Sequence, residues 1–232
     1  MFEADNRVNI YLAHVFYDAG RVNDAADIIR QLVDAKYTLQ PEDRMLVINI
    51  WLSIINPHRN AILNIKEIPK PCDNIHIAMS QLIEILNQRL DEIISIIKTQ
   101  ILPQFADEEG KVIYYKYLAD FERYKLGCVD SSQIPQLAND SRTYYVKAID
   151  ILKSQTNQNI ELLMSTYLNF SILLADHLNL KDKALDTLTQ QHHDLSVSLE
   201  KYPMEIRQRL QDLIDLMAEN IQRWKPQQEN DV

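Results

Sequence analysis

The chemistry-bearing residues with the most telling spacing lie between Lys116 and Tyr124. Lys116, Asp120, Arg123 and Tyr124 fall at i, i+4, i+7 and i+8, which puts two cations, a carboxylate and a phenol on one helical stripe. On a solvated face such a stripe is ordinary salt-bridge decoration. Held with other arginines against the charge of the whole chain, it becomes a local anion site. Arg59 is the next candidate. It follows Leu52 by seven residues, two turns along the same face of an otherwise apolar helix. A lone arginine in that setting snorkels to water or pairs with a carboxylate. Two amides also interrupt apolar stripes: Asn169 lies among Leu168, Ile172 and Leu173, and Asn220 shares a stripe with Leu213, Leu216 and Trp224. A buried Asn must satisfy its amide, so each is expected to bond backbone, its own chain's or a ligand's.

Other chemistry is poorly served. Cys72 and His76 lie four apart, but no second pair completes a tetrahedral metal site. Cys128 stands alone, and the adjacent His192 and His193 point apart on a helix. The only glycines are Gly20, Gly110 and Gly127, so neither a dinucleotide fingerprint nor a Walker loop can be written. Nucleophile elbows and zinc-protease motifs are absent too. No metal, no cofactor and no enzymatic activity are expected. The net charge of −9 repels a phosphate backbone, so nucleic acid is not an expected partner. Two cysteines make no disulfide framework, and the first residues lack a signal-peptide pattern. The longest apolar stretch, Leu46 to Ile55, is broken by Asn49 and Ser53 and is too short to span a membrane. The expectation is a soluble protein of the cytoplasm, with the nucleus as a second compartment.

The elements that must position these residues are helices. Apolar residues recur at three and four along the chain, and strict alternation is absent over any useful length. The fold class expected is all-α, with about nine antiparallel helices stacked as a superhelix around an open concave groove. The first runs from about Asp5 to Ala19 and stops at Gly20; the second reaches about Tyr37. The third starts near Pro41, meets Pro57, and ends at Pro69 to Pro71. The fourth carries the longest stripe, from Ile75 to Ile101, with Asp73 as N-cap and Pro103 as stop. The fifth spans about 108 to 126. After a polar segment from Ser131 to Asp140 come four more, near 141–154, 158–178, 181–201 and 203–224. Residues 1–225 read as one domain, and 226–232 as a polar disordered tail.

Taken together, several segments resemble the 14-3-3 family, adaptor proteins that bind phosphoserine and phosphothreonine segments. They are the stretch from Pro41 through Arg59, the run from Leu90 to Pro103, and the segment from Val112 to Tyr124. Leu168 to Leu174 and the closing Glu219 to Trp224 complete the set. Their order and spacing cover nearly the whole chain, more strongly in the last two-thirds.

The resemblance implies a groove lined by the third, fifth, seventh and ninth helices. Arg59 and Arg123 would clasp the phosphate, with the Tyr124 hydroxyl as a further donor. The guanidinium fork suits bidentate bonds to phosphate, and a phosphate offers about 1.5 to 2 negative charges and three acceptor oxygens. Lys116 would line the same basic wall, and Asp120 would hold the arginines in place. Asn169 and Asn220 would grip the client main chain. Leu168, Ile172, Leu213 and Leu216 would form an apolar wall bordered by Trp224 and Asp176. Two departures mark a divergent member. The family's phosphate-binding lysine falls at Leu52, and the apolar residue before the final Trp falls at Arg223. They leave an alternative open: a helical interaction module with weakened or lost phosphate dependence, binding acidic or unphosphorylated segments. The expected partners are phosphorylated protein segments and a second copy of the chain. The homodimer would form through the first helix, with Val8, Leu12, Val15 and Phe16, against the partner's third and fourth helices.

Overall fold

The computed structural model describes residues 2–70, 72–156 and 159–225. Among them lie nine α-helices and no strand, so the expected all-α class is what forms. The helices are α1 (Phe2–Asp18), α2 (Val22–Asp34), α3 (Pro41–Lys66), α4 (Asp73–Ile96), α5 (Glu108–Lys125), α6 (Ile134–Ser154), α7 (Ile160–Asp176), α8 (Lys181–Ser198) and α9 (Met204–Trp224). No helix among the described residues is long and apolar enough to cross a membrane. The tail expected over 226–232 lies outside the described residues. The chain forms two compact units, divided between Ile134 and Pro135.

In the first unit, α1 ends where Gly20 takes φ +73°. The Gly20 and Arg21 amides donate to the Tyr17 and Phe16 carbonyls at 3.0 and 2.8 Å, a paired closure that favours glycine because it has no Cβ to crowd the left-handed turn. Pro41 opens α3, where its missing N–H is of no consequence. Glu42 and Asp43 occupy the first turn, where carboxylates meet the positive end of the helix dipole. Pro57 does not break α3. Ile55 and Ile62 are buried on either side of it, so packing offsets the lost backbone bond.

Two expectations for α4 need correction. Cys72, not Asp73, is the N-cap, and Asp73 stands inside the first turn. The stripe also outlasts the α geometry: Ile97–Ile101 is a π-helical turn, followed by a 3-10 turn at Leu102–Gln104. Pro103 has no N–H for the Thr99 carbonyl and its ring crowds that oxygen, so the last turns loosen before it. The stripe residues Ile93, Ile97 and Ile101 are nevertheless buried.

α5 is the helix that positions the site. Its N-cap Asp107 accepts the Gly110 amide at 2.6 Å. Phe105 folds back over this turn, where a Cβ on Gly110 would meet the Phe105 ring at 2.7 Å. The same ring stacks on Tyr114, with centroids 5.6 Å apart. Every residue from Tyr114 to Glu122 is buried. A helix buried all round cannot send its charges to water, so they must be paired inside.

α6, all but its first residue in the second unit, begins at Ile134, a turn or more before the expected start near 141. Ala138 and Ser141 are its first two buried positions, followed by Tyr145, Ala148, Ile149 and Leu152. The stripe therefore opens on small residues and reads as polar linker. α7 is capped by Asn159, whose side chain accepts the Leu162 amide at 3.0 Å. α8 packs on α7 and α9, burying Ala184, Leu188 and Leu195. A 3-10 turn at Leu199–Lys201 leads to α9, whose stripe Leu210, Ile214, Met217, Ile221 and Trp224 faces inward.

Candidate functional site

The first unit brings Lys116, Asp120, Arg123, Tyr124 and Arg59 together. Buried Asp120 is the anchor. Its Oδ2 lies 2.7 Å from the Lys116 Nζ, and its Oδ1 lies 3.6 Å from an Arg123 Nη. Arg123 has only 11 % of its side chain exposed, which leaves little freedom to its guanidinium. From α3, the Arg59 guanidinium carbon sits 3.5 Å from the Tyr124 ring centroid. The Arg123 guanidinium carbon is 4.9 Å from the same centroid. The phenol thus serves both arginines as a common platform, a favourable contact between cation and ring face. Arg59 donates to the neutral Asn56 amide oxygen at 3.2 Å. Lys116 and Arg123 meet at buried Asp120, and Arg59 and Arg123 share the Tyr124 ring, a concentration of cations in an acidic chain.

The protonation states favour an anion. Burial acts against charge on Lys116, but the Asp120 carboxylate outweighs it and holds the ammonium above its ordinary value. Burial raises the Tyr124 phenol, Asp120 adds to the rise, and Arg123, Arg59 and Lys116 pull against it. The net result is a hydroxyl that stays protonated and able to donate across the neutral range.

Not every candidate stands at the front of this cluster. Lys116 is 6 % exposed and lies 3.9 Å over the Tyr117 ring, so it supports the cluster from behind. Leu52 is half-buried on α3, two turns before Arg59. His58 turns its Nδ1 to within 2.9 Å of the Ile54 carbonyl on its own helix. Spacing alone did not single out Asn56, although its position three residues before Arg59 suits the contact. Nor did it show that Glu122, one residue before Arg123, is buried and bonded by Lys98 at 2.6 Å. That pair ties α5 to the π-helical turn.

In the second unit, α7 presents Leu168, Asn169, Ile172 and Asp176, and α9 presents Leu213, Leu216, Asn220 and Trp224. Leu168 and Trp224 are buried, Asn169, Ile172, Leu213 and Asn220 are half-buried, and Leu216 and Asp176 are exposed. Asn220 donates to the Leu216 carbonyl of its own helix at 2.8 Å. The Trp224 indole N–H is buried without a partner among the described residues. Arg223 donates to Asp176 at 2.9 Å, joining α9 to α7.

The 14-3-3 protein family model matches residues 12–225. A 14-3-3 protein 3 of Entamoeba histolytica is 22 % identical over 225 residues, covering 93 % of each chain. The 14-3-3 protein epsilon of Drosophila melanogaster is 22 % identical over 97 % of this chain and 88 % of its own. Protein BMH2 of Saccharomyces cerevisiae is 21 % identical over 93 % of this chain and 83 % of its own. With helices throughout, one family model over nearly its whole length and relatives of matching extent, the chain belongs to the 14-3-3 family of adaptor proteins as a divergent member.

Proposed function

We propose that the chain binds phosphoserine- or phosphothreonine-containing segments of client proteins, with Arg59, Arg123 and Tyr124 as the phosphate clasp. The observation that carries this reading is the convergence of both guanidinium groups on the Tyr124 ring. Both arginines thus stand at one aromatic ring, with Asp120 steadying Arg123, where a ligand anion can meet them together. A phosphate is such an anion, with three acceptor oxygens, and each guanidinium can meet it bidentately. Asp120 and Lys116 set the clasp from behind. On this reading the amides of Asn169 and Asn220 hold client main chain, and Leu168, Ile172, Leu213 and Leu216 receive its apolar side chains, with Trp224 and Asp176 beside them. The protein acts by masking, clamping or bridging clients, not by catalysis.

The second reading is the interaction module with reduced phosphate dependence, favoured by Leu52, which puts an aliphatic side chain where the family has a lysine. Fluorescence-anisotropy titration of a phosphoserine peptide and its unphosphorylated twin separates the two. The clasp requires at least about tenfold preference for the phosphopeptide, since each charged hydrogen bond contributes about 1.5–3 kcal/mol. Equal affinity for the twins would establish the module instead.

A homodimer belongs to the same proposal. Val8, Tyr11, Leu12 and Val15 lie at i, i+3, i+4 and i+7 of α1 and are 63, 70, 38 and 43 % exposed. Ile10 and Ala13 of the same helix are buried, so α1 has a second apolar face that the described residues leave exposed. Leu63 of α3 and Ile77 and Ile85 of α4 are exposed too. These are the helices expected to receive the partner's α1.

A further inference from the structure

The second unit contains two ion pairs between α7 and α9, and they differ in kind. Arg209 makes a fork: its Nε meets both Glu161 oxygens at 3.1 and 3.0 Å, and its Nη2 meets Oε1 at 2.8 Å. Arg223 makes one contact, Nη2 to the Asp176 Oδ2 at 2.9 Å, with 57 % of its side chain exposed. The fork fixes its guanidinium at two atoms, the Arg223 contact at one. The single contact adds little to stability, being exposed and screened by solvent. Arg223 therefore keeps Nε and Nη1 unengaged by any described residue, and a ligand that displaces Asp176 from Nη2 gains a two-point edge, Nε with Nη2.

Its position gives that edge a use. Asp176 and Trp224, assigned above to client binding, flank Arg223, whose guanidinium carbon lies 5.6 Å from the Trp224 ring. A client oxyanion arriving here meets a cation held by a contact it can displace, and it can replace that contact with a two-point one. A client cation would find Asp176 already neutralised. We propose that Arg223 is a second anion-reading residue, so that preferred clients carry an acidic group, a carboxylate or a second phosphate, besides the phosphate in the clasp. This rests on the phosphosegment reading and deepens it by naming a co-determinant. Asp176 acts as an internal competitor that keeps the guanidinium aimed while the subsite is empty.

The test uses the full chain and a panel of singly phosphorylated serine peptides, each with one flanking Gln exchanged for Glu, or for a second phosphoserine. Anisotropy titrations give the Glu/Gln affinity ratio at each position. We expect a ratio of about threefold in favour of Glu at one position, the scale of an exposed charge contact. It should collapse to unity in Arg223→Leu and rise in Asp176→Asn, where the competitor is gone. The second phosphoserine at that position should exceed Glu if phosphate is the natural co-determinant, and only match it if carboxylate is. A ratio unchanged by Arg223→Leu overturns this proposal while leaving the clasp intact. Failure of wild type to bind any phosphorylated peptide overturns the phosphosegment reading and this proposal with it.

Discussion

Arg59 and Arg123 differ in what holds them, and that difference sets what each substitution does. Arg123 is fixed by buried Asp120, whereas Arg59 rests on a neutral amide and a ring. Leu52 lies on the Arg59 side, two turns away on α3. Leu52→Lys should therefore tighten phosphopeptide binding by about tenfold or more, one charged hydrogen bond's worth, with no change for the unphosphorylated twin. Titration of both peptides checks this; equal gains for both would mean general attraction to peptide, not a completed clasp. The pH profile tests the same residues. The phosphate's second proton leaves near pH 6, while the Tyr124 hydroxyl is held protonated beyond its ordinary value. Affinity should rise from pH 5 to 7 and stay level to pH 9. A fall between pH 8 and 9 would show that Tyr124 is ionising and is not the protected donor described.

At the scale of the element, α5 is a buried helix obliged to pair its own charges. Removing one partner of a buried ion pair leaves the other uncompensated, at a cost of about 3–5 kcal/mol, while apolar replacement of both is often tolerated. Lys116→Met and Asp120→Leu should each lower the denaturant midpoint strongly. The double variant should recover most of that loss, yet bind phosphopeptide poorly because Arg123 has lost its anchor. Additive losses in the double variant would contradict coupling between Lys116 and Asp120. The raised Lys116 value also fixes a pH window. A basic group whose folded value lies above its unfolded one contributes stability fully below the unfolded value, near pH 10.5. That contribution fades as pH rises through the folded value, so the wild type's advantage over the double variant should shrink only in strong alkali.

The elements were also where sequence was most and least legible. Period and punctuation were enough for α5, whose expected span of about 108 to 126 matches Glu108–Lys125. They failed at α6, because Ala138 and Ser141 make a buried stripe without large side chains. They failed at the end of α4, because periodicity cannot distinguish an α turn from the looser π turn imposed by Pro103. Within the site, spacing placed Lys116, Asp120, Arg123 and Tyr124 on one stripe. Whether that stripe was solvated or buried depends on neighbours far along the chain, so the burial of Lys116 and the Lys98–Glu122 pair were invisible. The contact between Arg223 and Asp176 spans 47 residues and left no local sign either.

For the whole molecule, the family assignment explains why an acidic chain should carry a concentrated basic site. A net charge of −9 is unfavourable for polyanions, and the proposed clasp would be a local exception open to a phosphorylated segment. Self-association is the property of the whole that decides how such a segment is used. Two copies would offer two clasps, so a doubly phosphorylated client would gain avidity without a new contact. Val8→Asp with Leu12→Asp should convert a dimer into a monomer in sedimentation velocity, leaving single-site phosphopeptide affinity unchanged and removing the gain for doubly phosphorylated peptides. A wild type that sediments as a monomer at all concentrations would rule out the α1 interface.

The most direct measurement is the position of the phosphorus atom in a crystal of the chain with a singly phosphorylated serine peptide. The phosphate should lie within hydrogen-bonding reach of the Arg59 and Arg123 guanidinium groups and the Tyr124 hydroxyl, in front of Asp120. A peptide bound with its phosphate in solvent, or seated away from these three residues, would contradict the clasp.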